Sequence, residues 1–394
     1  PSGLTLLVVQ DLLFAASAVP IMRLASARLG DRLGAAVGVS YLMSWGLWSA
    51  VESQFHEIAF AVPLISYSLC SWIESEGRSR SAIVSMAALV FVKEDLGLTV
   101  AAFGLVVIWI EWGRTTREGD FDLYVRSLTS LMATLRSRTA RIGAGLAAWG
   151  ILWTLLAITV ILPAIHPGGT WEYTDRLSQT DTMTTGPFTR LIFPTVKLQT
   201  LGLLALAAGV IGAVSPYMWI MVPTLAWRFL GNVDFYWGWH WHYSAILVPM
   251  AVVALVDSAH RRRRIRGAAA LAVAVSLCSN LAVAWTSTID QFFDRQPHAL
   301  TARQRTAAEG AVAIAGSGHR VVASLRLLAY LVPDNRVFWE GTAKGADVDV
   351  VAVDPASAAS SSGEAADKWA EERFGGRWRI VYLKEGYQVA VRIE

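Results

Sequence analysis

Lys93-Glu94-Asp95 interrupts a long apolar stretch, with Ser81 to Val92 on one side and Leu96 to Trp112 on the other. An ammonium beside two carboxylates can bind an anion, take up a proton or hold a cation. At the centre of a bilayer each ion would cost roughly 2.5–3.5 kcal/mol even on the lenient insertion scale. The triplet must therefore face water, protein or substrate. Two further polar groups share this character. Gln54, His56 and Glu57 follow the apolar run Leu33 to Ala50, and Asp234, His240, His242 and Tyr243 lie in or beside the aromatic segment Leu230 to His242. Carboxylates in such a setting deprotonate an acceptor hydroxyl, and Lys or His stabilises a departing phosphate. Aromatic surfaces suit a sugar or an isoprenoid chain.

Each group also has a plainer use. Lys93 and Asp95 can salt-bridge a turn that fixes two helices, since intramembrane ions often pair. His56 and Glu57 can be an ordinary loop pair. His240 and His242 alternate along an extended segment and could turn to one metal, yet no third ligand has metal-site spacing, which favours an interfacial or substrate-contacting role.

The elements that position these groups are apolar. Of the 394 residues 54% are hydrophobic and 16% charged, where a soluble domain carries about a quarter charged; the mean hydropathy is +0.43. This is the composition of a multi-span membrane protein. The net charge of +3 and pI near 9.0 come from Arg clustered in short loops, so membrane topology explains them and nucleic acid is not an expected partner. Cys70 and Cys278 each lie inside an apolar run and are expected to be free thiols. The chain opens on Pro1 without an initiator Met or a recognisable signal peptide, so further sequence is expected upstream.

One helix from Ser81 to Trp112 would be about 48 Å long, beyond a hydrocarbon core of roughly 30 Å. The chain is expected to turn at the triplet instead, on the outer side, because Arg78 and Arg80 before it and Arg114 to Arg141 after it should both stay inside. The same rule assigns the other spans: Leu4 to Met22, Leu33 to Ala50, Ile58 to Trp72, Gly143 to Leu162, Leu198 to Val214, Tyr217 to Phe229, Tyr243 to Val256 and Gly267 to Trp285. Asp11 in the first span is expected to hydrogen-bond between helices. Gly113 to Ile142 is expected to be an amphipathic segment on the inner leaflet. Pro163 to Lys197, with Trp171, is an outer loop of the length that commonly forms a lid.

From Thr286 the composition becomes that of a soluble domain. Helices are expected at Ala299 to Ala315, Leu325 to Leu331 and Glu364 to Phe374, and strands at Arg320 to Ala323, Arg336 to Trp339, Asp347 to Val353, Arg377 to Leu383 and Tyr387 to Ile393, with a flexible connection at Ser357 to Gly363. Ala315-Gly316-Ser317-Gly318 precedes its strand, the wrong order for a dinucleotide loop. The fold class expected is an α-helical multi-span membrane protein, with about ten transmembrane helices at residues 1–285 and a small extracytoplasmic α/β domain at 286–394.

Phe55-His56 at the end of an outward span, Lys93-Glu94-Asp95 before an apolar run, His242-Tyr243 with Pro249 downstream, and the terminal α/β module together resemble the bacterial and archaeal predicted membrane proteins catalogued as domain of unknown function 2079. The resemblance covers nearly the whole chain, and the Lys-Glu-Asp motif is its most specific part. That family usually carries Asp-Phe-His-Pro where this chain has Gln54 and Glu57 at the ends. The family in turn is similar to GT-C glycosyltransferases, which use polyprenyl-phosphate sugars at the outer membrane face.

What the resemblance implies is an integral-membrane enzyme of the cytoplasmic membrane, passing a sugar from a polyprenyl-phosphate donor to an extracytoplasmic glycan, lipid or protein acceptor, for which an inverting displacement is the simplest mechanism. Lys93 and His242 would meet donor phosphate, Glu94 or Asp95 would position acceptor or metal, and His56 and Glu57 would form the cavity rim. His240, Tyr243, Asp234 and Trp171 would contact substrate, and the terminal domain would recognise acceptor. In GT-C enzymes an acidic residue of the first outer loop is usually the base, and that loop is expected to precede Pro1. A divalent cation is the one cofactor this reading admits. A transporter or lipid-carrier flippase would instead show inverted repeats and ions reachable from both sides; a structural subunit would tolerate loss of the polar clusters.

Overall fold

A computed structural model describes residues 3–118, 128–165, 169, 171, 187–231, 233–262, 264–265, 267–286, 300–341, 343, 345–357 and 365–393. The chain forms two compact units: Gln10–Ile289, and Pro1–Val9 together with Asp290–Glu394.

The first unit is helical. Its main helices are α1 (Gly3–Leu29), α2 (Asp31–Leu42), α3 (Trp45–Glu52), α4 (Ile58–Glu74), α5 (Arg80–Ala88), α6 (Leu96–Glu118), α7 (Leu128–Leu135), α8 (Arg138–Leu156), α9 (Val196–Ala207), α10 (Val222–Leu230), α11 (Leu247–Arg261) and α12 (Ala268–Ala284). Among the described residues three helices are long and apolar enough to cross a membrane, Leu4–Leu29, Leu96–Thr116 and Arg138–Ile165, and a fourth if Asp234–Ser244 and Leu247–Arg261, bent by 69°, form one broken span. The other expected spans are shorter helices, such as Ile58–Glu74 and Ala268–Ala284. Seventeen residues of helix reach about 25 Å, short of a full hydrocarbon core. Large apolar side chains lie outward, among them Leu12, Val84, Leu105 and Leu152, while small hydroxyls bond between helices inside. Ser17 meets the Tyr41 hydroxyl at 2.7 Å, and the Asn280 amide donates to Ser40 Oγ at 3.1 Å. With lipid as apolar as Leu, such bonds and close packing hold helices together.

Glycines bring α6 and α8 into contact. A Cβ on Gly97 would fall 2.5 Å from the Gly150 carbonyl oxygen, and one on Gly143 would fall 2.6 Å from that of Gly104. The two backbones touch at both levels, which only glycine permits.

Three expectations are corrected. Asp11 lies on the exposed face of α1, and its neighbour Gln10 is the buried polar residue. Gly113 to Ile142 is not one helix: α6 ends at Glu118, and α7 and α8 begin at Leu128 and Arg138. Lys197 is no loop boundary but lies buried in α9, donating to the carbonyls of Phe193 and Phe229, each at 2.8 Å, with Trp237 beneath it. Most of the Pro163 to Lys197 loop and of Ser357 to Gly363 lies outside the described residues. Cys70 is buried and Cys278 exposed, both free.

In the second unit a five-stranded sheet runs in the order β2-β1-β3-β5-β4. Its strands are β1 (Arg320–Ala323), β2 (Arg336–Trp339), β3 (Val350–Val353), β4 (Trp378–Lys384) and β5 (Tyr387–Arg392). The first three pair in parallel, and β5 pairs antiparallel with β3 and β4. Helix α13 (Ala302–Ala315) starts at a capping box in which Thr301 and Gln304 satisfy each other's backbone N–H groups. It packs Ala307, Ala311 and Ala315 on Val321 and Val350. Helix α14 (Ala366–Phe374) packs Trp369 with Val351 and Val353 in a second cluster. Arg320 pairs with Asp347 and Asp349 at the start of β1.

Candidate functional site

The helix leading into the triplet fails before the charges arrive. After α5 the chain tightens to a 3-10 turn at Leu89–Phe91 and leaves helical geometry until Leu96. Ionic side chains are thus held on turn backbone at the head of α6, where the helix dipole favours carboxylates. The Thr154 hydroxyl on α8 donates to the Glu94 carbonyl at 3.1 Å, so the glycine contact between α6 and α8 also fixes the triplet.

Lys93 Nζ donates to Glu57 Oε1 at 2.9 Å, joining the triplet to the head of α4. The ammonium side chain is 14% exposed and the carboxylate 45%, so the pair sits half in water and is worth about 1 kcal/mol. Burial opposes ionisation of Glu57, but the charge and hydrogen bond of Lys93 outweigh it and hold the carboxyl below its usual range.

His56 joins the same loop to the third group. Its ring stacks on His242 with centroids 3.5 Å apart and planes 21° from parallel. The backbone N–H of His56 donates to Gln10 Oε1 at 3.2 Å, and its Nδ1 lies 3.3 Å from the Gln54 carbonyl. A carbonyl only accepts, so Nδ1 carries the proton. Gln54 has a φ of 68°, a left-handed conformation that a non-glycine residue adopts at a cost. Burial lowers the His56 pKa, against the raising effect of Glu57. His242 is itself buried, with Nδ1 lacking a hydrogen-bond partner among the described residues, and its ring lies 4.1 Å from that of Tyr243.

Arg228 holds the segment that carries His242. It is fully buried in α10, donating Nε to the Tyr236 carbonyl and Nη2 to the Gly238 carbonyl, both at 2.8 Å, and Nη1 to Ser244 Oγ at 3.2 Å. Its guanidinium also lies over the Tyr243 ring at 5.6 Å. In the sequence Arg228 shows only as a single Arg inside the apolar run Tyr217 to Phe229.

Asp95 lies beside these contacts. Burial, partly offset by Lys93, pushes its carboxyl up to about 6, and Oδ1 is buried without a hydrogen-bond partner. Lys93, Glu94 and Asp95 line a pocket of about 70 Å³ with Trp171, Trp227 and Tyr236. Ligand pockets that enclose a whole drug-sized molecule run to roughly 300 Å³ or more. Only the reacting end of a substrate fits here.

The structure therefore gathers Lys93, Glu94, Asp95, His56, Glu57, His242, Tyr243 and Trp171. It does not gather Asp234 or His240. Asp234 is exposed and its Oδ1 accepts from the Phe235 N–H at 2.8 Å, while His240 is exposed and lies on Trp239, with ring centroids 3.8 Å apart. His240 and His242 thus do not turn to one point. Among the described residues no group of three His, Cys, Asp or Glu is placed to hold a metal ion.

No curated protein and no solved structure matches the chain. The family described as predicted membrane protein (DUF2079) matches residues 1–389, nearly the full length and including every residue of the cluster around Lys93, so the chain belongs to that family.

Proposed function

We propose that the protein is an integral-membrane glycosyltransferase that takes a sugar from a polyprenyl-phosphate donor. The observation that carries this reading is the buried, unpartnered Oδ1 of Asp95 in a small pocket with the Lys93 ammonium and two indoles. A carboxyl near 6 is matched to proton abstraction at neutral pH. In the proposed step the acceptor hydroxyl gives its proton to Asp95 and its oxygen attacks the anomeric carbon. The bond from that carbon to the phosphate oxygen breaks, and polyprenyl phosphate leaves with the electron pair. Lys93, with His242 close behind it, stabilises that charge, and Trp171 and Trp227 offer faces to the sugar.

The outer side of the cytoplasmic membrane is the proposed location. Arg28, Arg114 and Arg261 lie at the ends of α1, α6 and α11, and basic ends stay inside. That leaves the heads of α4 and α6, with the pocket, outside. The last apolar helix then leads to an extracytoplasmic C-terminal unit, to which we assign recognition of a glycan, lipid or protein acceptor.

Purified protein is to be melted with a panel of polyprenyl-phosphate sugars. At a ligand concentration a hundred times its Kd, a donor adds about 2.7 kcal/mol of stability. At least one donor should raise the melting midpoint in wild type and fail to do so in Lys93→Ala, whose ligand-free melt stays cooperative. No shift with any donor, or equal shifts in the variant, would remove the assignment.

A further inference from the structure

We infer that a second cavity, at the far end of the same helices, binds a phosphodiester head group that carries an amine. Helices α4, α6 and α11 each run from the pocket end to this one, and the 17 residues of α4 put about 25 Å between the two. The cavity holds about 240 Å³ and is lined by the tails of α1, α4, α6 and α11. That is three times the room beside Asp95, and the walls are charged.

Among the described residues Arg28 is a cation of this wall that meets no acid. Its Nη1 lies 3.3 Å from His260 Nε2 and its Nη2 donates to the Ile73 carbonyl at 3.3 Å. His260 Nδ1 faces the Arg28 carbonyl at 3.2 Å. Since that oxygen accepts, Nδ1 carries the proton, Nε2 accepts from the guanidinium, and the imidazole is neutral. Among the described residues no carboxylate lies within ion-pair distance of Arg28. A forked guanidinium held by neutral acceptors is suited to phosphate oxygens.

Glu111 is the complementary case. Its side chain is 16% exposed, and its ion pair with Arg114 is stretched to 3.9 Å. The other two acids of the wall have partners: Asp257 accepts from Arg261 at 3.0 Å and from Ser215 at 2.8 Å, and Glu76, at the exposed edge, lies 3.8 Å from Arg78. Three guanidinium groups and three carboxylates line the cavity, so it has no surplus charge with which to hold a bare phosphate dianion. An under-paired cation and an under-paired anion in one small cavity fit a zwitterion, its phosphate on Arg28 and its ammonium on Glu111. The head group belongs either to a membrane lipid or to free glycerophosphoethanolamine, which keeps the phosphodiester.

The test uses the full chain in mild detergent, melted with short-chain phosphatidylethanolamine, with phosphatidylglycerol of the same chains, and with free glycerophosphoethanolamine. Phosphatidylethanolamine should bind about tenfold more tightly than phosphatidylglycerol, the usual value of one charge-assisted hydrogen bond. Glu111→Gln should erase that preference, and Arg28→Gln should weaken both lipids. A shift with free glycerophosphoethanolamine as well identifies a soluble ligand, and a shift with the lipid alone identifies a lipid site; both support the inference. Equal affinity of wild type for the two lipids, no shift with any of the three, or a preference that survives Glu111→Gln would overturn it. The Glu111 variant carries the test even if Arg28→Gln does not fold.

Discussion

The imidazoles of His56 and His242 lie face to face at 3.5 Å, joining the loop before α4 to the aromatic segment before α11. With Lys93 bound to Glu57 from the same loop, this stack makes one site out of three separate stretches of sequence.

The stack predicts a pH dependence. Burial lowers the His56 pKa, so over some range below neutrality the unfolded chain takes up a proton that the folded chain refuses. Stability from this group is complete above the unfolded value of about 6.5 and falls as pH drops through it towards the folded value. Thermal melts between pH 8 and 5, read as wild type minus His56→Gln, should decline on the acid side. A flat difference would show that the ring is not shielded.

Asp95 gives the opposite slope. A carboxyl raised to about 6 keeps its proton in the folded state, so its contribution is complete below about 3.9 and is lost as pH rises through 6. Asp95→Asn should therefore be more stable than wild type at pH 8, by on the order of 2–3 kcal/mol, and no more stable at pH 4. Loss of stability at pH 8 would place the ionised carboxylate in a structural role.

The α6–α8 contact predicts a pair of contrary glycine variants. Gly97→Ala puts a Cβ 2.5 Å from the Gly150 carbonyl oxygen and must separate the helices, at a cost of about 2 kcal/mol. Gly145 on α8 has nothing within 4 Å of such an atom, so Gly145→Ala should gain up to about 1 kcal/mol from helix propensity. Melting both variants checks the pair; equal effects would contradict the contact.

Arg228 predicts a local effect. Arg228→Gln leaves the buried carbonyls of Tyr236 and Gly238 short of donors, at about 1–3 kcal/mol each. Amide exchange in residues 231–244 should quicken while α1 and α6 keep their protection. Unchanged exchange there would mean that the guanidinium does not hold the segment.

Much of this was legible because cost forces position. Ions in an apolar run must leave the lipid, and the break before Leu96 follows. Strand alternation and breaker residues marked the C-terminal elements to within a few residues. Adjacent residues on an apolar helix were not legible: Gln10 and Asp11 differ by about 100° of rotation, and α1 is too evenly apolar to show which of them turns inward. Composition also cannot separate a span from a shorter buried helix such as Ile58–Glu74, because both are apolar. The glycine contact lay in the equal spacing of Gly97 with Gly104 and Gly143 with Gly150, a pattern with meaning only once the two helices are side by side. Asp234 and His240 share the short segment of His242, but that segment is not extended: a helical turn at Asp234–Trp237 and a 3-10 turn from His242 break the alternation and leave both exposed.

The most direct measurement is transfer itself. Purified protein is given a labelled polyprenyl-phosphate sugar and membrane extract as acceptor, and label leaving the donor is followed for wild type, Asp95→Asn and Lys93→Ala. Wild type should transfer the label, and Asp95→Asn should lose at least about a hundredfold, the scale of a missing general base, with both variants still folded. Transfer at the wild-type rate by either variant would contradict the assignment.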